Sequence, residues 1–92
     1  MRREERILQY LVQALTLLRA GHRDHLPILG RLDNAAIAAS IGGWKELREA
    51  IGVAEEHFLL GSYKAAERAL LSAVECAELH LGRKTEGTGA DE

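Results

Sequence analysis

The chain has 92 residues, of which 47% are hydrophobic and 28% charged, and its formal net charge is −2. This length allows one domain with a modest hydrophobic core. A single cysteine excludes a disulfide framework and the Cys-rich zinc modules. The mildly acidic balance argues against a dedicated nucleic-acid binder, which normally carries a basic stripe.

Positive and negative charges are concentrated in different halves of the chain. Residues 1–46 contain seven Lys/Arg and five Asp/Glu, a net charge of +2. Residues 47–92 contain five Lys/Arg and nine Asp/Glu, a net charge of −4. This asymmetry can steer a partner or favour head-to-tail contacts, although a solvated surface without a binding role has the same pattern.

The sequence predicts no targeting or membrane-spanning segment. Its longest uncharged run, residues 7–18, has twelve residues, whereas a bilayer span needs about 20. No small-residue cleavage site follows this run, which argues against a signal peptide. We therefore expect a cytoplasmic protein.

Hydrophobic periodicity predicts an all-α fold, a small antiparallel bundle of three main helices and one short helix. The predicted main helices cover residues 4–20, 44–60 and 62–82, and the predicted short helix covers residues 33–41. Together they define a helical domain over residues 1–82. Residues 83–92 contain one alanine and no larger apolar side chain, so we predict a disordered tail there.

Glycines mark the predicted ends of these helices. Gly21, the pair Gly42-Gly43, and Gly61 each follow an apolar periodic segment, as helix-terminating glycines do. Between the first two helices, Pro27 and Gly30 predict an irregular segment.

Small and turn-forming residues recur between residues 50 and 77. Ala54, Ala66 and Ala73 would let two antiparallel helices approach closely, with Gly61 in the tight turn and Tyr63 covering it. This spacing resembles a single tetratricopeptide-type helix pair. No second copy of the pattern is present, and an unrelated Ala-rich hairpin has the same spacing.

A second pattern, Asp-x-Leu-Pro-x-Leu-Gly-x-Leu-Asp-Asn, covers residues 24–34. It is similar to the central motif of the YkvA-like domain family of small helical proteins. Asn34 stands where that motif has a second Asp, and the family's preceding Pro-x-Asp-x-x-Pro segment is absent. The resemblance implies a helix–loop–helix with a buried loop, and it implies no activity.

Four side chains in and beside this segment form a candidate metal site. They are His22, Asp24, His25 and Asp33. Imidazole and carboxylate are suitable ligands for zinc or a similar divalent ion. Helix capping is the alternative role for the two aspartates, and we expect no cofactor.

The segment from Ile37 to Gly42, followed by Leu47 and Ile51, resembles a helix-turn-helix. In that interpretation, residues 44–51 would enter the major groove and bring two glutamates towards the phosphates. We therefore expect no nucleic-acid partner, and a regulatory nucleic-acid binder is only a further alternative.

The features together favour a non-catalytic function, a small helical protein-interaction or scaffold module that binds a protein partner or a second copy of itself. Predicted helix 4–20 has an apolar sector wider than one core contact requires, and two leucines lie off the core face of predicted helix 62–82. The predicted contact surface, which would also serve a homo-oligomer, is Leu11, Leu15, Leu18, Leu71 and Leu79. A metal-binding or metal-regulated helical protein is the alternative.

Overall fold

Four α-helices make up almost all of the described structure. The computed structural model of the chain describes residues 2–21 and 24–89, with side chains as far as residue 80. The helices are α1 (Arg3–Arg19), α2 (His25–Gly42), α3 (Lys45–Leu59) and α4 (Tyr63–Gly89). No strand occurs in these residues, and the predicted all-α fold class is confirmed.

The helices form an antiparallel bundle in which each one packs against two others. The packed pairs are α1 with α2, α2 with α3, α3 with α4, and α4 with α1. Trp44, just before α3, stacks on His80, late in α4. Arg19, at the end of α1, pairs with Glu67, near the start of α4, at 3.6 Å. These end-to-start contacts define an up-down-up-down arrangement.

The core is built from aliphatic side chains and alanines, with one buried phenylalanine. Small residues at facing positions let the helix backbones approach closely, so a chain with few aromatics still closes its interior. The buried apolar residues are Ile7, Leu11, Ala14, Leu15, Leu18, Ile28, Leu32, Ala35, Ala39, Leu47, Ile51, Ala54, Phe58, Ala66, Leu70, Ala73, Val74 and Ala77.

Glycines in the left-handed conformation end the first three helices, as predicted. Gly21, Gly43 and Gly61 have φ of 89°, 76° and 79°. After α2, the Trp44 N–H donates to the carbonyl of Ala39 at 3.0 Å, and the equivalent bond after α3 closes at 2.9 Å. This is the Schellman motif, in which a side chain at the left-handed position would be strained. The short turns fix the antiparallel order of the helices.

Helix α2 begins eight residues earlier than predicted, at His25 rather than at residue 33. Pro27 occupies the third position of α2. The first N–H groups of an α-helix have no carbonyl partner within the helix, so the N–H that proline lacks costs no hydrogen bond there. Gly30 costs the helix about 1 kcal/mol relative to Ala. Burial of each large apolar side chain on the inner face stabilises it by about 1.5–3 kcal/mol. That inner face is Ile28, Leu32, Ala35 and Ala39.

Helix α4 continues to Gly89, beyond the predicted end at residue 82. Arg83, Lys84 and Glu86 are good helix formers, which allows the backbone to continue past Gly82. Residues 90–92 lie outside the described residues. The division into a domain over residues 1–82 and a disordered tail over 83–92 stays a prediction.

Within residues 2–21 and 24–89, no helix has the length and apolar character that a bilayer crossing requires.

Candidate interaction surface

The outer face of α2 is apolar although the helix already buries its inner face. Leu26, Ile37 and Ile41 are 86%, 58% and 66% exposed. Among the 18 residues of α2, only Arg31 and Asp33 are Lys, Arg, Asp or Glu. Ile37 and Ile41 lie one helical turn apart, whereas Leu26 lies eleven residues before Ile37, about 16 Å along the axis. Exposed apolar side chains on a helix that already buries its inner face are normally covered. The outer face of α2, defined by these three side chains and centred on the two isoleucines, is therefore a candidate contact surface.

A groove runs between the first half of α1 and the second half of α2. It encloses about 400 Å³. Its lining combines the two isoleucines with polar and cationic side chains, namely Arg3, Arg6, Tyr10, Asn34, Ile37 and Ile41. We call it the α1/α2 groove. It brings guanidinium groups beside exposed apolar surface.

Arg3 and Arg6, the two arginines of this groove, form no side-chain hydrogen bond or ion pair within the described structure. A third arginine nearby, Arg31, donates from Nε to Oε1 of Gln13 at 3.2 Å and from Nη1 to the carbonyl of Pro27 at 2.8 Å. The side chains of Arg3 and Arg6 form no such bond and no ion pair with another described residue. Both are exposed, so their charge is available to an external anion.

On the other side of α2, the groove between α2 and α3 is acidic. It encloses about 670 Å³, with Leu59 and Leu60 at one end. Its charged lining is Asp33, Arg48, Glu49, Glu55 and Glu56. Burial, a hydrogen bond to the Asp33 side chain and the Asp33 charge together raise the pKa of Glu55. The two faces that flank α2 thus differ in the sign of their charge.

The predicted contact surface is not a continuous surface. Leu11, Leu15 and Leu18 lie in the core, because the wide apolar sector of α1 faces α2 and α4 within the same chain. Leu71 and Leu79 are exposed. They are eight residues apart on α4, about 12 Å along the axis and about 80° around it. Only these two of the five leucines are accessible, and they do not form one patch.

The described residues do not assemble the predicted metal site. Asp24 precedes α2 and Asp33 lies nine residues later in the same helix, about 13 Å along its axis. His25 packs edge-on against Phe58 with ring centroids 5.4 Å apart. His22 lies outside the described residues. Among those described, no group of three or more His, Cys, Asp or Glu side chains could hold a metal.

The Asp24 side chain also makes no capping hydrogen bond at the start of α2. The capping role predicted for it is therefore not observed. Asp33 is in the interior of α2, and its carboxyl group faces Glu55 of α3 instead of a helix N-terminus.

The segment that resembles a helix-turn-helix spans the end of α2 and the first half of α3. The two helices are joined through Gly43 and Trp44 and pack against each other. The expectation that this segment binds no nucleic acid stays a prediction.

The contact surface predicted from the sequence does not include Leu26, Ile37 and Ile41. The signal for them is present in the sequence, because they fall on the face opposite the inner stripe once the helix is continued back to residue 25. Because the sequence predicts an irregular segment over residues 22–32, only Ile37 and Ile41 lie in a predicted helix. The face that they share with Leu26 is therefore not recognised from the sequence.

No family model, curated protein or solved structure matches this chain. Helices α3 and α4 do form an antiparallel hairpin with Ala54, Ala66 and Ala73 buried. The segment that the second resemblance predicts to be a loop, residues 24–34, instead forms the start of α2. Membership of the tetratricopeptide-type or the YkvA-like family stays a prediction.

Proposed function

We propose that this protein is a non-catalytic interaction module that self-associates through the outer face of α2. The observation that carries the proposal is the exposure of Leu26, Ile37 and Ile41 on a helix whose other face is already in the core. Exposed apolar side chains that share one face usually mark a contact surface.

Ile37 and Ile41 lie one helical turn apart and both line the α1/α2 groove. Covering each of them removes apolar surface from water, and a fully buried isoleucine gains about 1.5–3 kcal/mol. Polar side chains around them, including Asn34 and Tyr10, would form the rim that interfaces normally have.

A second copy is the occupant we propose because the chain carries two differently charged faces. One side of α2 borders Arg3 and Arg6 of α1, which form no ion pair among the described residues. The other side borders four carboxyl side chains and one arginine. Surfaces of opposite charge on one molecule attract each other between copies. This supports self-association over capture of an unrelated protein.

The test uses a single exposed position. Ile37→Glu places a carboxylate in the proposed contact without disturbing the core, because Ile37 is largely exposed. We expect light scattering at a concentration where the unmodified chain is associated to show monomer for this variant. Leu79→Glu is the matched control, since Leu79 is 61% exposed on α4.

Association that survives Ile37→Glu would contradict the proposed surface. Loss of association in Leu79→Glu alone would move the contact to α4. Circular dichroism of both variants checks that the helices are retained.

A further inference from the structure

We infer that the α1/α2 groove of one copy receives the outer ridge of α3 from a second copy, so that the copies associate head to tail. This inference rests on the proposed self-association and assigns its two complementary surfaces. The α3 ridge is defined as Glu49, Val53 and Glu56 of α3 together with Leu60, the residue that follows the last residue of the helix.

The groove determines the chemistry of what can fill it. Arg3 and Arg6 stand at its α1 edge, exposed and without an ionic partner in the described structure. Ile37 and Ile41 stand at its α2 edge. An occupant must therefore supply carboxylates and apolar side chains on one face, and an acidic amphipathic helix does so.

The α3 ridge has this composition. Its four residues follow one another at spacings of four, three and four, so they lie on one side of the helix. All four are exposed, with Val53 at 46% and Leu60 at 72%. The two glutamates alternate with the two apolar side chains along the ridge. Acidic and apolar groups are thus already arranged on an unburied helix face.

The two surfaces also agree in length. The α1 edge of the groove runs from Arg3 to Tyr10, and the glutamates of the ridge run from Glu49 to Glu56. Both intervals are seven residues, or about 10 Å of helix. Arg3 and Arg6 are three residues apart, about 4.5 Å along α1. One glutamate of the ridge can therefore lie against the two arginines while the other lies near Tyr10 and Val53 lies over the isoleucines.

A symmetric contact between two α1/α2 grooves is less favourable than the contact between a groove and an α3 ridge. Two α1/α2 grooves placed face to face would bring Arg3 and Arg6 of both copies together, and like charges across an interface repel. Among the described residues, helix α3 packs on α2 and α4 but not on α1, so the ridge and the groove face different directions. One copy can use both at once, which makes the contact heterologous.

The experiment neutralises each surface separately. The groove variant is Arg3→Gln/Arg6→Gln, and the ridge variant is Glu49→Gln/Glu56→Gln. All four positions are exposed, so both variants keep the core. By sedimentation velocity, we expect each variant alone to self-associate at least about tenfold more weakly than the unmodified chain, as loss of one charge-assisted contact predicts.

The decisive result comes from mixing the two variants. The groove variant keeps an intact ridge and the ridge variant keeps an intact groove, so an equimolar mixture should form a 1:1 complex that stops at the dimer. Raising the salt to about 0.5 M should weaken that complex, because exposed ion pairs are screened.

If the unmodified chain associates but both variants also associate equally well, or if the mixture stays monomeric, the head-to-tail arrangement is wrong and self-association stands. If the unmodified chain is monomeric at every concentration, both the arrangement and the proposed self-association are wrong.

Discussion

Asp33 on α2 and Glu55 on α3 both line the acidic groove and face each other across it. Burial, followed by the hydrogen bond to the Asp33 side chain and its charge, raises the pKa of Glu55. The contact between the two helices is therefore most favourable when Glu55 is protonated. This preference gives the α2–α3 packing a dependence on pH.

The first prediction concerns that pH dependence. Because the pKa of Glu55 in the folded chain is raised above its ordinary value of 4.5, its stabilising contribution is fully present below 4.5. The contribution is lost as the pH rises through the raised pKa. Glu55→Gln keeps a neutral hydrogen-bonding side chain at every pH, so we expect it to stabilise the chain slightly at pH 7. The gain should be well below about 1 kcal/mol, because solvent screens a partly exposed group.

Urea unfolding at pH 7 and below pH 4.5 measures this difference. Glu75→Gln removes the same charge from an exposed position on α4, outside the acidic groove and the α3 ridge, and provides the control. Equal stability changes for the two variants at both pH values would show that the carboxyl pair has no such role.

The second prediction separates core leucines from surface leucines. Leu11 is fully buried, so Leu11→Ala should lower the free energy of unfolding by about 2–5 kcal/mol. Leu79 is exposed, and Leu79→Ala should change it by less than about 0.5 kcal/mol. Thermal or urea unfolding of the two variants checks both values. Similar costs at the two positions would contradict the assigned burial.

The third prediction concerns two glycines with opposite requirements. Gly52 lies in the interior of α3 with open space where an added methyl group would lie, so Gly52→Ala should stabilise the chain by up to about 1 kcal/mol. Gly61 has φ of 79°, and Gly61→Ala should cost about 1–2 kcal/mol because an L side chain is strained there. Urea unfolding of both variants gives the two signs, and stabilisation by Gly61→Ala would contradict the left-handed turn.

The fourth prediction uses the single tryptophan as a reporter. Trp44 folds over Gly42, where a Cβ would lie 3.0 Å from the indole ring, and it stacks on His80 with ring centroids 5.5 Å apart. Gly42→Ala should push the indole outwards and shift its fluorescence emission to the red. Stability should change by no more than about 1 kcal/mol, because the gain in helix propensity opposes the weakened stack.

Gly52→Ala is the control for this measurement, since nothing lies within 4 Å of its Cβ position. Its emission should match that of the unmodified chain. An unchanged spectrum for Gly42→Ala would show that the indole does not cover that glycine.

Much of the fold follows from local signals in the sequence. The glycine turns and the all-α class depend on short-range spacing, and these predictions are confirmed. The predicted start of α2 is wrong because Pro27 and Gly30, which are typical helix breakers, favour an irregular segment there. In the structure, burial of Ile28 and Leu32 outweighs the cost of the proline and the glycine, and that burial depends on the other helices of the bundle.

The candidate surface is harder to predict than the fold. Leu11, Leu15 and Leu18 have the same residue type as exposed leucines, and only the positions of α2 and α4 show that they are covered. The availability of Arg3 depends on which side chains lie nearby in space. Sequence spacing does not show which side chains lie near Arg3 in space. The charge difference between the two halves of the chain does agree with the acidic groove on one side of α2 and the arginines on the other.

The central claim is that the chain associates with itself through exposed apolar surface on α2. Sedimentation equilibrium of the unmodified chain from about 1 μM to 1 mM, a range that covers typical weak interfaces, tests it most directly. We predict an average mass that rises with concentration above that of one chain. A mass equal to one chain across the whole range would contradict the claim.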